Sequence, residues 1–155
     1  MSGWTIEALD WNDPEGAALR AAQRAELDAR YGSDDHEPGT VPSAADIDLF
    51  LVARDGGGTG AALACGALRR LDAVSAEVKR MYVAPQARGT GVAAAVLRAL
   101  EAAAVERGWT TLRLETGHRQ PDAERFYQRE GYRPIPLFGA YVGSAISVCY
   151  ERVLV

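Results

Sequence analysis

Between Val83 and Val92 the chain reads VAPQARGTGV, and its Gln86-x-x-Gly89-x-Gly91 spacing, with Arg88 inside, suits the grip of a diphosphate. The stretch follows an apolar run ending in Met81-Tyr82-Val83 and precedes an alanine-rich segment of helical periodicity. A helix start presents backbone N–H groups without intrahelical partners and the positive end of the helix dipole, and glycines let that backbone approach an anion closely. Three phosphate-binding patterns compete for it. A P-loop needs Lys and then Ser or Thr after its last glycine, whereas Val92 and Ala93 follow Gly91. The dinucleotide fingerprint is a closer rival, because Gly89-x-Gly91-x-x-Ala94 has its glycine spacing and Glu115 closes the next strand-like run. Against it, Pro85 to Arg88 intervene between strand and first glycine, and one βαβ unit is visible where two halves are expected. The third pattern, Gln86-x-x-Gly89-x-Gly91 lying directly between strand and helix, meets neither objection.

Several other side chains could move protons. Tyr127 has a phenol that donates a proton at neutral pH, although its helical spacing from Ala123 and Phe126 equally suits core packing. Glu77 precedes Val83 by six residues, and strand parity would set it on one face with Lys79, Met81 and Val83; a solvated carboxylate is the alternative. Glu115 and His118 flank the end of TTLRLET, where either could act as base or substrate contact. Asp34, Asp35, His36 and Glu37 form a charged loop that could attract a cationic amine or simply be solvated. Contiguous ligands lack the spacing of an established metal site, so no metal is expected.

The elements that must position these groups can be read from periodicity and punctuation. Residues 3–9 are β-prone, and Asp13 with Pro14 opens a helix running to Tyr31, stopped by Gly32, with a small stripe of Ala18, Leu19, Ala21, Ala22 and Ala25. A polar loop follows and ends in a short helix capped by Ser43. IDLFLVAR and GAALACGALRRL, joined by DGGGTG, read as an antiparallel hairpin, and SAEVKRMYV continues the meander. Val92 to Arg107 form a helix with Val92, Val96, Leu100 and Ala103 or Ala104 on one face, closed by Gly108. With TTLRLET this gives one βαβ unit and hence a parallel, right-handed crossover. A further helix starts near Pro121 and ends before Gly131, and ISVCYERV is the clearer of one or two closing strands.

A chain of 155 residues suits one domain, able to bury roughly 70% of its unfolded surface. The net charge of −4 removes the usual electrostatic case for nucleic acid or anionic membranes as partners. The N-terminal residues lack a secretory pattern, no apolar run reaches a membrane span, and Cys65 and Cys149 sit in strand-like runs as reduced, buried thiols. A cytoplasmic protein is the expectation.

The loop QARGTG, together with QPDAERFYQREGYRP at the spacing of one helix and one strand, resembles the two motifs of the GNAT superfamily of N-acetyltransferases, and the order of elements agrees along the whole chain. The resemblance implies one GNAT domain over residues 1–155: an α/β (α+β) fold with a mixed, mostly antiparallel sheet and one parallel βαβ unit. It implies acetyl transfer from acetyl-CoA to a primary amine by direct attack in a ternary complex. Backbone N–H groups from Arg88 through Gly89, Thr90, Gly91, Val92 and Ala93 would hold the pyrophosphate beside Gln86. The strand end Met81-Tyr82-Val83 would pair with the pantetheine arm, with the Val83 N–H near the thioester. Tyr127 matches the position that protonates the thiolate, and Glu77 matches the base of the histone-acetylating branch. Gln120 stands where many members carry an asparagine; it would touch the pantetheine or cap the helix. The tail, with LETG, QP, FY and FGAY, resembles a bacterial branch whose acceptors are small or unassigned. A homodimer stays open, as do a non-catalytic acyl-CoA sensor and a dinucleotide-binding domain.

Overall fold

The computed structural model describes residues 3–36, 38, 41–57 and 60–155. The strands are β1 (Trp4–Ala8), β2 (Leu49–Asp55), β3 (Ala62–Arg70), β4 (Ser75–Val83), β5 (Thr111–Gly117), β6 (Arg133–Ile135) and β7 (Ser147–Val153). The helices are α1 (Pro14–Tyr31), α2 (Val92–Glu106) and α3 (Pro121–Arg129). One seven-stranded sheet has the order β1-β2-β3-β4-β5-β7-β6, antiparallel except for the β4–β5 pair. This is the expected mixed α/β fold with its single parallel crossover. The short helix expected at Ser43 is instead one turn, in which the Ser43 N–H and hydroxyl bond the Asp46 carboxylate. Gly58 and Thr59 of the expected hairpin turn, and Glu37 of the charged loop, lie outside the described residues.

The termini of α1 follow local chemistry: the Asp13 carboxylate accepts the Glu15 and Gly16 N–H groups, and Gly32 takes a left-handed φ of 73°. Its buried face differs from expectation. Of the expected stripe only Leu19 is buried, now beside Gly16, while Ala18, Ala21, Ala22 and Ala25 are exposed. A side chain at Gly16 would overlap the Phe50 ring, so this glycine lets the helix settle on β2 and rotates the alanines outward. α2 behaves as read: Val92, Val96, Leu100 and Ala104, with Leu97, are at most 1% exposed. Each large aliphatic side chain buried there contributes about 1.5–3 kcal/mol. The sheet therefore carries two cores: one under α1 with Phe50, Val52 and Cys65, the other under α2 and α3 with Leu68, Leu100, Leu114 and Tyr127.

Two departures from regularity open this sheet. β4 and β5 pair only at Ser75–Glu77 with Thr111–Arg113, while β4 stays bonded to β3 up to Val83 and β5 to β7 up to Gly117. Beyond Glu77 the two strands part. In addition, Gly66 of β3 opposes both Arg80 and Met81, a bulge in which Arg80 has φ 56°. Gly66 is suited to that place, because an added Cβ would press on Met81, Leu100 and Val96.

Candidate active site

The bulge decides which side chains share a face. Lys79 pairs with Ala67 and Tyr82 with Cys65, so Glu77, Lys79 and Tyr82 look toward the α1 side, whereas Met81 and Val83 pack with the α2 core. The parity that would set Glu77 beside Met81 and Val83 is thus broken by one inserted residue. Glu77 is fully buried and lines neither cavity described below. Its carboxylate accepts from Arg69 Nη2 at 2.6 Å and from the Tyr141 hydroxyl at 2.5 Å, with Lys79 Nζ 3.7 Å away. Glu77 is held in a buried ion pair on the opposite face from Met81 and Val83, whereas the sequence reading sets it beside them.

A cleft of about 370 Å³ is walled by the end of β4, α1, the loop and start of α2, and α3. Of the residues expected to hold a coenzyme, Met81, Tyr82, Val83, Arg88, Gly89, Gly91, Val92, Ala93, Gln120 and Tyr127 line it. Gln86 and Thr90 belong to the same loop but do not line the cleft; Thr90 Oγ1 donates to the Ala87 carbonyl. Gly89 and Gly91 have φ of 78° and 91°, in the left-handed region that disfavours side chains. The first α2-type bond runs from the Ala95 N–H to the Gly91 carbonyl, which leaves the N–H groups of Val92, Ala93 and Ala94 for an anion. With nothing within 4 Å of a Cβ built on Gly89, the loop has room for a diphosphate against these donors.

The strand end Met81–Val83 is engaged by its own neighbours. Gln23 Nε2 donates to the Met81 carbonyl at 2.9 Å, and Arg88 Nε donates to the Val83 carbonyl at 3.1 Å while its Nη2 pairs with Glu26 at 2.8 Å. The buried Gln23 Oε1 has no hydrogen-bond partner among the described residues. This acceptor fits an amide N–H of a ligand lying along β4, as an extended pantetheine arm would.

A second, smaller cavity of about 100 Å³ adjoins the first. The two share Gln23, Leu27, Met81, Gln120, Ala123 and Tyr127. Tyr127 is 7% exposed, packs on Phe126 and Tyr132, and its hydroxyl bonds none of the described residues. Burial pushes its phenol well above the ordinary tyrosine range, so it keeps its proton at neutral pH. Gln120 makes no side-chain cap of α3; its amide lies 3.5 Å from the Tyr31 hydroxyl. Lys79, Arg80, Glu115, Thr116 and His36 add polar groups to the second cavity, and the Glu115 carboxylate accepts from Ser147. His118 is exposed, bonds the Ile146 carbonyl and lines neither cavity.

Sequence reading missed the share taken by α1. Gln23, Glu26, Leu27 and Arg30 line the cleft at helical spacing, a mostly polar stripe that could have been recognised as a face. Among the described residues no cluster of His, Cys, Asp and Glu could hold a metal, and no helix is long and apolar enough to cross a membrane.

Comparison with known proteins agrees with this fold. Residues 46–134 match the family model of the acetyltransferase (GNAT) domain. The chain is 35% identical over 106 residues to an IAA acetyltransferase of Azospirillum brasilense, covering 68% of this chain and 67% of that protein. A solved structure from Klebsiella pneumoniae, assigned as an acyl-CoA N-acyltransferase, is 36% identical over 98% of both chains with a TM-score of 0.81. A GNAT acetyltransferase from Elizabethkingia anophelis, solved with acetyl-CoA bound, shares the fold at 16% identity and a TM-score of 0.71 over 99% of this chain and 100% of its own.

Proposed function

This chain belongs to the GNAT acetyltransferase family, and from that premise we propose that it moves the acetyl group of acetyl-CoA onto a primary amine of a small acceptor, by direct attack in a ternary complex. The observation that carries the reading is the meeting of the two cavities at Tyr127. The larger has the loop, helix start and strand edge for a coenzyme; the smaller is polar and takes the end of a small molecule. When bound, acetyl-CoA supplies an activated thioester. Residues 1–155 act as one domain, in the reducing cytoplasm that the free, buried Cys65 and Cys149 suit.

The chain's own groups divide the remaining tasks. Backbone N–H groups from Gly89 to Ala94 hold the diphosphate, and Gln23 with the Met81–Val83 edge aligns the arm. The Val83 N–H polarises the thioester carbonyl. Tyr127 holds its proton until the sulfur leaves, and the same desolvation that raises its proton affinity raises that of a thiolate beside it, so the transfer stays matched. Release of free thiol from acetyl-CoA should therefore require an amine, tested across polyamines, amino acids, aminoglycosides and peptide N-termini. With an accepted amine, Tyr127→Phe should lower kcat about 100-fold while acetyl-CoA affinity is kept. Full rate in that variant would remove Tyr127 as the acid, and thiol release independent of any amine would overturn the reading.

A further inference from the structure

The smaller cavity contains one imidazole, and its surroundings go beyond what a loop histidine needs. After the left-handed turn at Gly32 the chain doubles back along α1, and His36 comes to rest 7% exposed while Asp34 and Asp35 beside it are exposed. Its Nε2 lies 2.6 Å from Asp28 Oδ1, which is also 3.5 Å from Arg24 Nε. The ring stacks on Tyr31, with centroids 5.4 Å apart and planes inclined by 23°. Tyr31 in turn fits over Gly117, where any side chain would overlap its hydroxyl. Asp28 selects the tautomer with the proton on Nε2, and the other nitrogen, Nδ1, bonds none of the described residues. His36 lines the same cavity as Tyr127, with Lys79, Arg80 and Glu115 as its charged neighbours.

We propose that His36 is the general base that deprotonates the acceptor ammonium, with Asp28 as the positioning residue that orients the ring. The proposal rests on the amine-acetylating reading above. Nδ1 takes one proton from R–NH3+, and the freed nitrogen lone pair forms the C–N bond as the C–S bond breaks. The thiolate takes the Tyr127 proton, the second nitrogen proton restores that phenol, and the imidazolium, held by the Asp28 carboxylate meanwhile, returns its proton to solvent. Glu77 is enclosed on the far side of the bulge and His118 lies outside the cavity, while Glu115, which shares the cavity, is engaged by the Ser147 hydroxyl at 2.7 Å.

The test uses two probe amines on the full chain: n-butylamine, a cation at neutral pH, and methoxyamine, which is already neutral. In His36→Gln, kcat/KM should fall about 100-fold with n-butylamine and less than about 3-fold with methoxyamine. Asp28→Asn should show the same selectivity at about 10-fold, and it keeps the question answerable if His36→Gln folds poorly. Acetyl-CoA affinity should be unchanged in both. Equal losses with the two amines, or none, would overturn the base and leave the acetyltransferase reading standing. Failure of the unmodified protein to acetylate these two amines and every acceptor class named above would instead sink the amine reading, and this step with it.

Discussion

Gly89 and Gly108 provide a matched pair for testing the loop. Both are exposed and left-handed, with φ of 78° and 82°, and a Cβ built on either meets nothing within 4 Å. Alanine at each should therefore cost the same about 1–2 kcal/mol for a side chain in the left-handed region. For a chain of this length that is a fall in Tm of about 2–8 °C. The two positions differ in what they face: Gly89 lines the cleft, whereas Gly108 follows α2 at its far end. A methyl at Gly89 enters the space left for the diphosphate and re-aims the neighbouring N–H groups. Loss of one hydrogen bond to a charged oxygen is worth about 1.5–3 kcal/mol, or about 10–150-fold in Kd. Titration calorimetry with acetyl-CoA should thus give a Kd raised at least about 10-fold for Gly89→Ala and unchanged for Gly108→Ala, at equal Tm. Equal affinity in the two variants would refute the assignment of the loop to the coenzyme.

Two further perturbations separate structure from chemistry. Gly117→Ala should drive Tyr31 off His36, because the new Cβ would also lie 2.7 Å from the Tyr31 Cζ. The lost ring pair is worth about 0.5–1.5 kcal/mol, and alanine regains about 0.5–1 kcal/mol over glycine in a strand. Urea unfolding should accordingly change little while turnover of n-butylamine drops about 10-fold; unaltered turnover would show that Tyr31 does not position His36. Glu77→Ala leaves Arg69 and Tyr141 without their shared acceptor and should cost about 3–5 kcal/mol in the same unfolding assay, with the folded fraction still active. A stable but inactive Glu77→Ala would return Glu77 to the chemistry.

Much of this molecule is written locally. The Asp13 cap, the Gly32 stop, the α2 stripe and the Gly89/Gly91 turn depend on neighbours a few residues apart, and for that reason helix limits and the loop-to-helix start were legible in the chain. The parallel crossover follows from chain geometry alone, since β4, α2 and β5 admit no other connection. What escaped depends on contacts between distant segments. The bulge at Arg80 arises where β4 passes Gly66 beneath α2, and it reverses the alternation that assigned Glu77 to the cleft. The rotation of α1 is set by Gly16 against Phe50, 34 residues on, and brings Gln23 and Leu27 to the cleft in place of an alanine stripe. His36 reads as one more charge in a polar loop until Asp28, Tyr31 and Gly117 surround it. Sequence thus determined the family of chemistry through its local anion-binding loop. Tertiary structure alone decided which side chains can share a proton, because a face, a cavity and a partner are properties of packing and not of spacing.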